Sequence, residues 1–227
     1  MSIITMRQNP PTRIVTLIMT PIMIKRRITG FGSSVMFFVS VSIMLVSMPS
    51  MANDDVMRAE TWFNKIRTIS ADFVQVASDG TSAEGKLAFR RPSSMKITYG
   101  EGDELRLITS SVWLHVDRSD ERLLTSYPIS ETPLSLILAE KVSLRPDGYE
   151  TRVLPTNAGI VRIQIGKDDG EGAGRLTLEF SEKPFQFRRW IVLDSAGIET
   201  SVTLQNIVYD QPIANEAFRL PKYSDVN

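Results

Sequence analysis

From about residue 72 onward, apolar side chains recur at every second position in short runs, and each run ends at a cluster of turn-forming residues. Met95, Ile97 and Tyr99 fall on one side of such a run while Lys96 and Thr98 fall on the other. That is the alternation a half-buried strand requires, because successive side chains of extended backbone point to opposite faces. The same reading predicts strands near 72–77, 84–90, 95–99, 104–109, 112–117, 122–126, 149–154, 159–165, 175–180, 186–194 and 198–207. Ser78-Asp79-Gly80, Gly100 to Asp103, Arg118 to Asp120, Asp168-Asp169-Gly170 and Asp194 to Gly197 separate them with turn chemistry. About eleven antiparallel strands in one unit predict a mainly β single domain, a curved antiparallel sheet that forms an incomplete β-barrel.

Two segments break the period. Over Asn53 to Ile69, the apolar residues Val56, Ala59, Trp62, Phe63, Ile66 and Ile69 recur at three and four, with Asn53, Asp54 and Asp55 placed to cap the start. This predicts an amphipathic helix. Ser130, Glu131, Thr132 and Pro133 open a second, short helix carrying Leu134, Leu136, Ile137 and Leu138. So little polar surface means that this helix is buried on most sides or covers something apolar. The simplest arrangement lays both helices across the concave mouth of the sheet, closing a hydrophobic cavity.

Residues 1–52 hold five cations and no carboxylate, and Lys25, Arg26 and Arg27 precede an apolar run from Val35 to Val46 that ends in Pro49, Ser50, Met51 and Ala52. Charged, apolar and small regions in that order predict a secretory signal peptide cut after Ala52. A membrane anchor is the alternative, but the uncharged run is short for the roughly 20 residues a spanning helix needs. Arg26-Arg27 hints at twin-arginine export, although Ile28, Thr29 and Gly30 continue that pattern poorly and Sec export fits better; Met19 or Met23 is an alternative start. The remainder, 53–227, carries 21 basic against 26 acidic residues. It therefore reads as an acidic, exported domain of a Gram-negative periplasm, with no basic stripe for nucleic acid. The absence of cysteine from all 227 residues excludes disulfides, thiolate chemistry and a lipid anchor on cysteine.

Catalytic readings find little support. His115 is the only imidazole, lies in a predicted strand and has no G-x-S-x-G elbow to accompany it. Asp168, Asp169 and Glu171 lack the spacing of a calcium loop, and Gly170, Gly172 and Gly174 join two strands with no helix N-terminus to receive a phosphate. No enzyme activity, metal or cofactor is expected.

Several stretches in fixed order resemble the outer-membrane lipoprotein carrier protein (LolA) family. They are Phe63 to Gln75, reading FNKIRTISADFVQ; Gly85-Lys86-Leu87 running to Arg91-Pro92; Val112-Trp113-Leu114; Thr132 to Leu136; Leu193 to Gly197 with Val202, Leu204 and Asn206; and Phe218 with Pro221. Two departures stand out: Ser110-Ser111 where the family favours an Asp-Gly turn, and an ending of Leu220-Pro221-Lys222-Tyr223 without the usual glycine. The resemblance implies a half-barrel closed by helices around a hydrophobic cavity. It further implies a monomeric periplasmic carrier that takes acylated lipoproteins from an inner-membrane ABC-type release complex to an outer-membrane acceptor or the membrane itself. The expected cavity residues are Phe63, Ile66 and Ile69 on the first helix; Phe73, Leu87, Phe89, Met95, Ile97 and Trp113 on strands; and Leu134, Leu136 and Ile137 on the second helix. Ordinary core packing is the competing role for each. Met95 has the flexible thioether that a loosely specified acyl surface favours. Arg91, before Pro92, is implied as a latch that keeps the lid closed when the cavity is empty, with Arg90 on the opposite face as its control.

Two further readings stay open: an envelope-stress sensor built on the same half-barrel, and a carrier of another lipid or glycolipid. For any such carrier, energetics impose a limit. Enclosing about 40 methylenes at about 0.8 kcal/mol each would exceed the 18–21 kcal/mol at which noncovalent affinity saturates, and the cargo could never leave. A carrier has to oppose that free energy with its own closed state.

Overall fold

The alternating segments pair into one antiparallel sheet of eleven strands, and the computed structural model describes residues 51–102, 104–110, 112–166, 174–194 and 196–223 of the chain. A helix α1 (Met51–Lys65) comes first. Six strands follow as a meander: β1 (Thr68–Ala77), β2 (Ser82–Arg90), β3 (Ser94–Tyr99), β4 (Leu105–Ser110), β5 (Trp113–Arg118) and β6 (Leu123–Pro128). A connecting segment holds a 3-10 turn (Ile129–Glu131) and a one-turn helix α2 (Ser135–Leu138). The second meander is β7 (Glu150–Leu154), β8 (Ile160–Gly166), β9 (Arg175–Glu182), β10 (Phe185–Leu193) and β11 (Glu199–Tyr209), and a 3-10 turn at Asn215–Phe218 lies in the C-terminal arm. The spatial order is β6-β5-β4-β3-β2-β1-β11-β10-β9-β8-β7, so β1 and β11 meet at the centre while β6 and β7 lie at opposite edges. The sheet is curved and does not close, as expected for an incomplete barrel.

One face of the sheet carries the core. Phe73, Leu87, Phe89, Met95, Ile97, Leu107, Leu114, Ile163, Leu178 and Phe180 project from it into a single cluster shared with Val56, Ala59 and Phe63 of α1 and with Leu134, Ile137, Leu138, Val142 and Leu144 of the connecting segment. Asp54 in the first turn of α1 and Lys65 in the last suit the helix dipole. Gly80, between β1 and β2, takes φ +87°, a left-handed conformation in which glycine alone is unstrained.

Three expectations are corrected. The first helix starts at Met51 and ends at Lys65, so Asn53 lies inside it and Ile69 belongs to β1. There Ile69 pairs with Phe89 on one side and Tyr209 on the other, and ladder bonds to two strands outweigh one further helical turn. The second helix is a single turn with Leu134 at its N-cap, because Thr132 has extended backbone and separates the 3-10 turn from it. Trp113 lies on the face of β5 opposite Leu114 and Val116, and is 45% exposed. Of the segment expected to be a leader, only Met51 and Ala52 are among the described residues, and Asp168, Asp169 and Glu171 lie outside them.

Candidate functional site

The concave side is built on rings. Phe63 of α1 is 5.2 Å from Phe187 and 5.7 Å from Phe180, while Trp62, one residue earlier, packs edge-on to Phe180 and Tyr209. Eleven of the twelve expected cavity residues join or border this cluster. Phe63, Ile66, Ile69, Phe73, Leu87, Phe89, Met95, Ile97, Leu134 and Ile137 are buried, and half-buried Leu136 packs against them. Trp113 is the exception. The eleven side chains belong to, or pack against, one apolar cluster shared with α1 and the connecting segment.

Polar groups fasten that cover. The Arg91 guanidinium donates to Ala139 O at 2.8 Å, Glu140 O at 2.7 Å and Phe63 O, and lies 3.4 Å from Asn64 Oδ1. One side chain at the end of β2 thereby holds both α1 and the connecting segment. Burial lowers the pKa of this guanidinium from its ordinary value. Asn64, which the sequence reading did not single out, ties the same parts directly: Nδ2 donates to Val142 O and Oδ1 accepts from Val142 N, each at 2.9 Å. Glu60 accepts from Leu144 N at 2.8 Å, and Ser93 N donates to Leu138 O at 3.0 Å. Asn64 and Glu60, four residues apart, share one flank of a helix whose apolar stripe faces the sheet; two polar residues bordering that stripe were the available signal.

Within the core, the Tyr99 hydroxyl donates to Gln75 Oε1 at 3.1 Å, and burial pushes the Tyr99 phenol up, keeping it protonated. Thr109 Oγ1 accepts from Met95 N and donates to Ser93 O, both at 2.7 Å. Neither pair offers a nucleophile beside a base.

The convex face is covered by the C-terminal arm. Arg90 donates to Ile213 O at 2.9 Å and Asn215 Oδ1 at 2.8 Å, with its guanidinium 4.6 Å from the Phe218 ring centre. Tyr223 donates to buried Asp117, whose other oxygen accepts from Arg106 Nε at 2.6 Å. His115 Nδ1 lies 2.8 Å from Ser126 Oγ, and burial lowers its pKa. Among the described residues no group of three or more His, Asp or Glu side chains could hold a metal, and no helix is long and apolar enough to cross a membrane.

Residues 64–221 match the family model described as outer membrane lipoprotein carrier protein LolA. No curated protein matches the chain. Among solved structures, the crystal structure of a LolA superfamily protein from Nitrosomonas europaea aligns with 74% of this chain and 97% of its own, at a TM-score of 0.41 and 6% identity. Since the family model covers well over half the sequence, this chain belongs to the outer-membrane lipoprotein carrier protein LolA family.

Proposed function

We propose that this protein is a periplasmic carrier, exported by way of a leader at 1–52, that binds the acyl chains of lipoproteins released from the inner membrane by an ABC-type complex and delivers them to the outer membrane. Family membership supports the coarser part, binding of lipoproteins or lipids by a carrier rather than catalysis. The observation that carries the finer part is the contrast between contents and closure. The interior is apolar almost throughout, whereas its cover is held by hydrogen bonds that converge on Arg91 and Asn64. Apolar contacts inside can be exchanged for acyl chains at little net cost, since both are hydrocarbon. The polar bonds are lost when the cover lifts and recovered when it closes, which supplies the opposing free energy a releasable carrier needs. Direction then comes from ATP use at the donor and from an acceptor with greater affinity for the chains.

An environment-sensitive apolar dye bound to the purified protein tests this. A triacylated lipoprotein is expected to displace the dye, and the same lipoprotein without acyl chains to leave it in place. Equal displacement by both forms would mean recognition of protein surface and would end the carrier reading.

A further inference from the structure

The two margins of the open sheet are treated differently. β7 carries Glu150 and Arg152, whose side chains pair at 2.5 Å, and its Thr151 hydroxyl donates to Leu144 O of the connecting segment. Charges and a covering loop are the usual means of keeping a sheet margin from pairing with another chain. β6 reads Leu-Leu-Thr-Ser-Tyr-Pro with no charge, none of its six residues is buried, and no described strand lies beyond it.

Its free hydrogen-bonding groups follow from the ladder. Ile129 N donates to Val112 O, and the register continues unbroken through Trp113↔Pro128, Leu114↔Tyr127, His115↔Ser126, Val116↔Thr125 and Asp117↔Leu124. In an antiparallel pair the residues bonded to the partner alternate with residues bonded away from it. Positions 129, 127, 125 and 123 therefore bond toward β5, and Leu124, Ser126 and Pro128 turn their backbone groups outward. Leu124 and Ser126 each offer an N–H and a carbonyl, whereas Pro128 has no N–H and, as N-cap of the 3-10 turn, gives its carbonyl to that turn. Ile129, the residue after Pro128, lines a groove of about 370 Å3 together with Val112, Leu138 and Ala139. Ala139 O is one of the carbonyls held by Arg91.

We propose that the free margin of β6 takes up an extended segment of the cargo polypeptide as an added strand, next to the acyl chains under the cover. This rests on the carrier reading. Strand addition bonds main chain to main chain and is indifferent to side-chain sequence, which suits cargoes that share an acyl group rather than a sequence. A polypeptide whose acyl chains lie beneath the connecting segment has to leave at that segment, and the groove there is lined by Ile129, the residue that follows β6. Because Pro128 lacks a donor, pairing runs from Ser126 to Leu124, away from the mouth.

The test uses natively purified protein and two triacylated peptides with about eight residues of extended chain, identical except that one is methylated at alternate backbone nitrogens. Both should displace the apolar dye, the methylated peptide about tenfold less tightly, the scale of losing one or two net hydrogen bonds. Ser126→Pro removes one outward donor at a position where an edge strand tolerates proline. It should bring the unmodified peptide to the affinity of the methylated one and leave the methylated one unchanged. Equal affinity of both peptides for the wild-type protein overturns the proposal, and decides it even if Ser126→Pro does not fold. Failure of both peptides to displace the dye defeats the carrier reading as well, whereas equal displacement defeats the strand proposal alone. A concentration-dependent dimer abolished by Ser126→Pro, with no effect of methylation, assigns the margin to a second copy of the chain and likewise overturns it.

Discussion

Arg90 and Arg91 follow one another at the end of β2 and act on opposite sides of the sheet, one on the C-terminal arm and the other on the cover. The planar five-donor guanidinium lets a single residue satisfy carbonyls from two elements, which a lysine could not do in the same geometry. Arg91→Leu should therefore still accept cargo but release it to acceptor membranes about tenfold more slowly or worse, because about 1.4 kcal/mol lost from the closed empty state is already that factor. Arg90→Leu is more than an inert control. Its release rate should match wild type while hydrogen exchange quickens at 213–218, and equal release rates for both variants would remove Arg91 from the unloading step. His115 makes a second prediction at this scale. Its folded-state pKa is lowered by burial, so between that value and the ordinary one near 6.5 the unfolded chain binds more protons. Stability is then full above about pH 6.5 and falls on acidification through the folded pKa. His115→Gln should flatten the thermal midpoint between pH 7.5 and 5.5, and an unchanged slope would place its cause elsewhere.

Among the elements, β2 leaves no room for a side chain at Gly85, where an added methyl would lie 1.9 Å from Thr98 O of β3 and 2.9 Å from the Phe73 ring. A backbone carbonyl cannot turn aside as a side chain can. Gly85→Ala should lower the thermal midpoint by about 5–10 °C, from overpacking of about 2–3 kcal/mol in a domain this size, while Gly102→Ala, which would meet only the Glu104 side chain, should not move it. Calorimetry of the two variants checks this. All eleven strands were legible because period two is a local signal that survives whatever the sheet packs against. Which side of a strand faces inward is not local. In β5, the large ring of Trp113 suggests burial, but the interior takes Leu114 and Val116, and the arm carrying Tyr223 covers part of the other face. The end of α1 was misread for a related reason: Ile66 and Ile69 fit a helical spacing, and the partners that draw Ile69 into a strand, Phe89 and Tyr209, are remote in sequence. In the candidate site the apolar residues were readable as a set and Arg91 through the family resemblance. Asn64 was not, since its value lies in a pairing with Val142 that only the fold creates.

At the level of the whole molecule, the sheet is two hairpin meanders joined down the middle, and the segment that connects them also forms part of the cover. Each meander is assembled from neighbours in sequence. The seam between them is not: Ile69 faces Tyr209 and Ala77 faces Thr200, across more than 120 residues of chain. Contacts that distant close late, because loop entropy has to be overcome before they yield anything. As the chain is synthesised from its N-terminus, β1 can acquire β2 at once but must wait for β11, the last strand made. Throughout that interval it presents an apolar face and an unpaired margin, the combination most prone to association with other chains. The half-made molecule is thus at its stickiest along the line that later becomes its centre, and keeping that line apart from neighbouring chains falls to whatever accompanies the polypeptide until its final strand arrives.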